Sequence, residues 1–352
     1  MKIIMGIDGS EAKFFNGPSG MAIKSDNFNH FFRKDTGYSA TWGRTKADNP
    51  DYSPYGPLIA DIEITTICHG PNGIPCSFCY KANTPNGSNM TLETFKKVLD
   101  KLPKTIGQIA FGVDATATAN PEIWDIFSYA EENNIVPNLT VAQVTDEVAD
   151  KIANYAGACA VSLYDDKNIC YDSVQKLTNR GMEQVNIHFC YHSGNIHKIH
   201  EIISDIKTDP RLADLNAIVF LALKKKGRGK GFNPVSFDQF KIMVYNCLEN
   251  NIRFGFDSCS ANNFLEAVKY HKHYEQFKVL AEPCESTCFS AYIDVHGKFY
   301  PCSFCENIAG WEEGLDVVTC TNFLNQIWNH EKTRDFRESL HANKRSCPVY
   351  NI

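Results

Sequence analysis

The sequence predicts an α/β protein built on a parallel sheet that closes, fully or partly, into a barrel. Two observations predict it. From Leu58 to about Cys259 apolar strand patterns alternate with amphipathic helical patterns, and repeated strand and helix units joined by right-handed crossovers give such a sheet. The chain has 352 residues, 43% of them hydrophobic, which suits one barrel-sized domain with an appendage.

Residues 1–57 are rich in Gly, Asn, Asp and aromatics, including Phe14, Phe28, Phe32 and Trp42. Lys34-Asp35-Thr36-Gly37 reads as a turn between short strands, so this part reads as a β-rich N-terminal cap, for substrate capture or, more simply, for closing one end of the barrel. Asn49-Pro50 and Ser53-Pro54-Tyr55-Gly56-Pro57 form an extended connector, because residues before proline avoid helix.

The barrel segment, 58–260, opens on a strand from Leu58 to Ile67. Thr91 caps a helix that places Leu92, Phe95, Val98, Leu99 and Leu102 on one face. Gln108 to Phe111 is the second strand, and Asn120-Pro121-Glu122 reads as a cap followed by a first-turn proline. Further strands are expected at Val136–Val141, Cys159–Leu163, Val185–Cys190, Ala217–Leu223 and Ile252–Phe256. Between them, Thr145–Tyr155 and Asn195–Ile206 carry helical periodicity, and Ser236-Phe237-Asp238-Gln239 has the form of a capping box. Barrels of this type place their chemistry on loops at the carboxyl ends of strands.

One such loop, ICHGPNGIPCSFCY from Ile67 to Tyr80, spaces Cys68, Cys76 and Cys79 as C-x7-C-x2-C. Three thiolates can hold three irons of a [4Fe-4S] cluster and leave the fourth iron open to a small molecule. With Phe78 just before the last cysteine, the loop resembles the cluster loop of the radical SAM superfamily, whose usual spacing is C-x3-C-x2-C. The seven intervening residues hold two glycines and two prolines, composition suited to a compact looped-out turn.

The resemblance implies a partial (β/α)6 TIM-like barrel, a [4Fe-4S] cluster held by Cys68, Cys76 and Cys79, and S-adenosylmethionine (SAM) beside Phe78. It also implies that Gly112 and Asp114, in Phe111-Gly112-Val113-Asp114, stand for the family's Gly-Gly-Glu contact to the methionine amino group. Thr140 and Ser162, at later strand ends, fall where ribose or carboxylate contacts are expected. The reaction implied is reductive cleavage of SAM and hydrogen abstraction from a substrate, with an electron donor such as flavodoxin or ferredoxin.

The remaining polar clusters read more simply. Lys224-Lys225-Lys226-Gly227-Arg228-Gly229-Lys230-Gly231 lies at the barrel mouth and reads as a solvated loop, although its charges would suit a carboxylate or phosphate. His188, His192, His197 and His200 lack the helical pairing of metal ligands. Cys159, Cys170, Cys190, Cys247 and Cys259 read as small buried hydrophobes.

The tail, 261–352, has its own signature. Tyr292–Val295 and Lys298–Tyr300 read as strands around Gly297, and Cys288, Gly297 and Cys302 are spaced C-x8-G-x4-C. This resembles the opening of SPASM and twitch extensions, which implies a second, auxiliary [4Fe-4S] cluster on Cys288, Cys302, Cys305 and Cys347, with Cys284 as substitute for one of them. Such extensions accompany modification of ribosomally made peptides and protein side chains, so a peptide substrate is expected.

Other readings of the same residues are a radical SAM enzyme acting on a nucleotide or other small molecule, and a non-enzymatic zinc protein built on C-x2-C pairs. A net charge of −6 gives no general attraction to nucleic acid or anionic membrane. Met1 to Ile7 is too short for a signal-peptide core and no run approaches membrane-spanning length. The chain therefore reads as cytoplasmic, where clustered cysteines argue for metal before disulfides.

Overall fold

A computed structural model describes residues 1–45 and 48–350. Its first unit is an antiparallel meander of β1 (Lys2–Met5), β2 (Glu11–Asn16), β3 (Gly20–Lys24), β4 (Asn29–Arg33) and β5 (Ser39–Trp42). Alternation sets its inner face: Ala12 and Phe14 are buried while Lys13 and Phe15 are exposed. That face packs with Leu58, Val136, Cys288 and Phe289. Because Leu58 and Val136 lie at the amino ends of their strands, the meander covers the end of the parallel sheet opposite to the cysteine loop.

The second sheet has ten strands. Its first seven in chain order run parallel to one another: β6 (Ile59–Glu63), β7 (Gln108–Gly112), β8 (Val136–Val141), β9 (Ala158–Ser162), β10 (Val185–Tyr191), β11 (Ala217–Ala222) and β12 (Phe254–Phe256). The helices between them are α1 (Leu92–Lys101), α2 (Ile123–Glu132), α3 (Asp146–Tyr155), α4 (Lys167–Thr178), α5 (Ile199–Thr208) and α6 (Phe237–Glu249), followed by α7 (Ala261–Ala267) and α8 (Tyr274–Leu280). Parallel strands that neighbour each other in sequence order, with crossovers of one hand, must carry their helices on one face. Successive helices α1 to α4 do touch.

The two faces of the sheet therefore differ in chemistry. Toward the helices, Ile62, Ile109, Phe111, Leu139, Val161, Ile187 and Phe220 are buried with Phe95, Val98 and Phe127. Truncating a fully buried aromatic such as Phe95 to Ala costs about 3–5 kcal/mol. The opposite face carries half-buried polar or small side chains, Asp61, Asn138, Thr140, Ser162, Asn186, His188 and Cys190, among apolar ones such as Val219 and Leu221. Register places them in rows, Asp61 beside Ala110 and Asn138, and Ser162 beside His188.

Local signals hold in detail. The Thr91 side chain accepts from the Thr94 amide, and Ser236 and Gln239 form the expected capping box. Asn120 makes the expected cap contact, its Oδ1 accepting from the Glu122 amide at 2.9 Å, and α2 runs from Ile123. Its Nδ2 also donates to the carbonyls of Ile64 and Met90, which need a donor at that depth.

The tail continues the sheet. β13 (Ser290–Ile293) pairs in parallel with β6, and β14 (Lys298–Tyr300) and β15 (Leu315–Asp316) follow antiparallel. A π turn at Leu324–Trp328 and α9 (Glu331–Ala342) fold back over it. Trp328 is fully buried and donates to the Ser53 carbonyl, while the Arg337 guanidinium lies against the Trp328 and Tyr52 rings and donates to the Thr287 carbonyl. These contacts tie the extended connector to the tail. Among the described residues no helix is long and apolar enough to cross a membrane.

Candidate functional site

The cysteine loop leaves the carboxyl end of β6. Its base is closed by the Cys68 amide bonding to the Thr84 carbonyl and by pairing of Thr65 with Asn89. The seven-residue insert folds into a tight turn over Pro71–Gly73. Gly70 has φ +75°, and a Cβ there would lie 1.8 Å from the Ile74 carbonyl oxygen, so only glycine fits. Gln143, in the loop after β8, holds the turn: it accepts from the Asn72 amide at 2.9 Å and donates to the Asn72 side chain at 2.8 Å.

Cys76, Phe78, Ser162, Tyr164, His192 and Phe232 line one cavity of about 460 Å³. The Phe78 ring lies 5.7 Å from Tyr164, 5.8 Å from His192 and 5.9 Å from Phe232, centroid to centroid. Flat apolar faces with polar edges suit a planar heterocycle. Burial pushes the Cys76 thiol up to about 11, against the hydrogen bond of the Tyr164 hydroxyl and the attraction of Arg228. A metal binding there must displace that proton.

The other residues drawn from the sequence fall as follows. Gly112 ends β7 next to Glu63, and its carbonyl accepts from the Ile64 amide. Thr140 sits on the polar face, 3.5 Å from the His188 ring. Burial pushes His188 down to about 4, consistent with a neutral structural histidine. Asp114 corrects its expected role as an amino-group contact. Its carboxylate is buried and accepts from the Thr116 amide and hydroxyl and from the amides of Thr118 and Ala119, at 2.6–3.0 Å. Four donors fill the lone pairs of a carboxylate, so Asp114 shapes its own turn.

The glycine-rich segment corrects the expectation of a solvated loop. Lys224 is buried and paired with Asp257, whose carboxylate also accepts from the Ala222 amide and the Ser260 hydroxyl. Arg228 donates to the carbonyls of Cys76 and Asn83, and Lys226 to those of Ser303 and Glu306. Sequence could not show this, because the acceptors are backbone atoms of distant turns.

A second cavity, of about 190 Å³, is lined by five cysteines: Cys259, Cys284, Cys302, Cys305 and Cys347. Asp61, Glu285, Lys224 and Asp257 share its wall. Cys305 stands 3.5 Å from Cys302, and the hydrogen bond between the two sulfurs holds Cys302 below the ordinary thiol value and Cys305 above it. The Tyr350 amide bonds to Cys347 sulfur at 3.3 Å. Cys288 does not line this cavity, and its sulfur is 3.6 Å from His341 Nε2, although it and Cys284 both pack with the meander. Cys259, expected to be a buried hydrophobe, instead stands at the cavity wall on the turn after β12.

Between the cavities lies a charged network absent from the sequence reading. Lys81 donates to Glu63 at 3.1 Å, to the Tyr292 hydroxyl at 2.8 Å and to Glu306. Tyr292 donates to Glu63 at 3.2 Å. Burial pushes Glu63 up to about 7 despite Lys81. A signal was available: Lys81 and Glu306 each follow a cysteine pair closely, and the pentapeptide Pro-Cys-Ser-Phe-Cys occurs both at 75–79 and at 301–305.

The donor set fits iron–sulfur ligation. Thiolates are the ligands such clusters use; Cys76 of the first group lines the aromatic cavity, and Cys284, Cys302, Cys305 and Cys347 line the second. Among the described residues no three His, Cys, Asp or Glu side chains are grouped to hold a single metal ion. The ligands of a cubane bind separate irons and stand farther apart.

The fold has a known likeness. A solved structure of tagged anSMEcpe with bound AdoMet matches with a TM-score of 0.56 at 15% identity, covering 80% of this chain and 82% of that one. BtrN in complex with AdoMet and 2-DOIA matches at 0.39, with 14% identity over 84% and 93% of the two chains. HydG, a maturase of the [FeFe]-hydrogenase, matches at 0.44, with 12% identity over 81% and 69%. No protein-family model matches the chain, and no curated protein does. The first likeness shows the fold, a mixed α/β protein with a parallel sheet.

Proposed function

We propose that the chain is a radical SAM enzyme on a partial (β/α)6 barrel with a twitch-like tail. The observation that carries this is the placement of Cys68, Cys76 and Cys79 on the loop at the carboxyl end of β6. The loop opens beside an aromatic-walled cavity, in a fold shared with an AdoMet-bound structure. When bound, a reduced [4Fe-4S] cluster supplies an electron, drawn from a donor such as flavodoxin or ferredoxin, that cleaves SAM to methionine and a 5′-deoxyadenosyl radical that takes hydrogen from substrate.

The chain's own residues hold and shield this chemistry. Cys68, Cys76 and Cys79 hold the first cluster, and Phe78, Tyr164 and Phe232 provide flat surfaces for the adenine. Gly112, Thr140 and Ser162 stand on the polar face toward the ribose and methionine. Cys284, Cys302, Cys305 and Cys347, which share one cavity, hold the auxiliary cluster in place of a set containing Cys288. The meander closes the far end of the sheet. The substrate we infer is a ribosomally made peptide or protein side chain, supported by the resemblance of the Cys288 to Cys302 hairpin to extensions found with such substrates.

Anaerobic reconstitution with iron and sulfide, then dithionite and SAM, tests the reading. The expected result is visible sulfur-to-iron absorbance and 5′-deoxyadenosine. Cys76→Ala abolishes the nucleoside, and Cys302→Ala spares some of it. Protein that takes up zinc alone, or makes no 5′-deoxyadenosine, overturns the proposal.

A further inference from the structure

The Pro-Cys-Ser-Phe-Cys turns at 75–79 and 301–305 are held by one short loop that reaches both. Toward the first turn, Arg228 Nε donates to the Cys76 carbonyl at 2.8 Å, and the Arg228 amide donates to the Cys79 carbonyl at 3.0 Å. Toward the second, Lys226 Nζ donates to the carbonyls of Ser303 at 2.9 Å and Glu306 at 2.8 Å. Gly227, between the two cations, has φ +54°, and a Cβ there would lie 2.3 Å from the Tyr80 carbonyl oxygen. The loop thus lies directly on the backbone after Cys79. The turns also touch each other, the Tyr80 ring standing 4.4 Å from the Phe304 ring.

Charge-assisted hydrogen bonds to carbonyls are stronger than neutral ones, and cations two residues apart on a tight loop cannot move independently. We propose that Lys226 and Arg228 are positioning residues that lock the two cysteine turns to each other, so that a change at one turn is transmitted to the other. Neither side chain reaches into the aromatic cavity, and each acts through the turn that it grips. The consequence for catalysis rests on the cluster reading above, whereas the lock itself is a property of the metal-free chain.

The test is site-resolved alkylation of the full-length, metal-free, reduced protein with N-ethylmaleimide, mapped by mass spectrometry. Arg228→Gln is expected to speed labelling severalfold at Cys302 and Cys305 as well as at Cys76 and Cys79, and Lys226→Gln to do the same in reverse. Cys159, Cys170 and Cys247, buried in the core, serve as the control and stay protected. A rise confined to the adjacent turn, or none at either, overturns the proposal. Where a Gln variant also exposes the core thiols, Arg228→Lys and Lys226→Arg are read by the same criterion, a smaller cross-turn rise sustaining the lock and none overturning it. Failure of wild-type protein to bind iron would sink the cluster reading without touching this result.

Discussion

The ring of Tyr80, the residue after Cys79, lies against that of Phe304, between Cys302 and Cys305, with centroids 4.4 Å apart. Two cysteine turns separated by more than two hundred residues are thereby in direct contact. The predictions below follow from how that neighbourhood is built.

The shared cavity separates two candidate ligands that are only four residues apart. In a Cys76→Ala background, which isolates the tail, Cys284→Ser is expected to lower iron per chain after reconstitution. Cys288→Ser, whose sulfur faces His341, is expected to leave it unchanged. Iron and sulfide analysis reads both.

Lys81 bridges Glu63 and Glu306. Lys81→Met leaves the buried Glu63 facing the half-buried Glu306 without a counter-charge, and breaking a buried pair costs about 3–5 kcal/mol. Denaturant unfolding should show this loss, larger at pH 8 than at pH 5, because a protonated Glu63 relieves the repulsion.

Glu63 also sets a pH slope in the wild-type protein. Its folded value is about 7 against an ordinary 4.5, so between those values the folded chain holds a proton that the unfolded chain has released. This contribution to stability is full below about 4.5 and is lost as pH rises through 7. Glu63→Gln is expected to flatten that part of the stability profile, read as unfolding midpoints between pH 5 and pH 8.

Gly227→Ala forces a side chain into a left-handed conformation at about 1–2 kcal/mol and pushes it against the Tyr80 carbonyl. A lower unfolding midpoint is expected, together with faster hydrogen exchange in 76–82.

Gln143→Ala removes both hydrogen bonds from Asn72. Each such bond is worth about 0.5–1.5 kcal/mol, so the Pro71–Gly73 turn loosens while the core does not. Limited proteolysis should cut earlier within 70–75, with the unfolding midpoint nearly unchanged.

Most of the parallel sheet was legible because its strands read as short apolar-rich segments between helical patterns, and its helices carry clear caps. β8 falls on Val136–Val141 as expected, and Thr91, Thr145 and Ser236 cap their helices. The cysteines stood out as candidate ligands by type and spacing. Cys288 and Cys284 could not be ranked from spacing, because which sulfur turns toward Cys302 depends on how the chain folds between Pro283 and Phe289. Asp114 looked like a contact because a carboxylate at a strand end has the right chemistry, whereas its partners are amides of its own turn. Arg228 and Lys226 were hidden because a carbonyl acceptor leaves no mark in sequence.

The parallel pairing of β13 with β6 has a consequence for any attempt to dissect the protein. The strand that launches the first cysteine loop borrows half its ladder from the C-terminal segment. A fragment ending before Ser290 would therefore bare an edge of β6 directly beneath the first cysteine loop. The tail is a structural party to the front half, and a piece that keeps the β6 ladder intact must keep both.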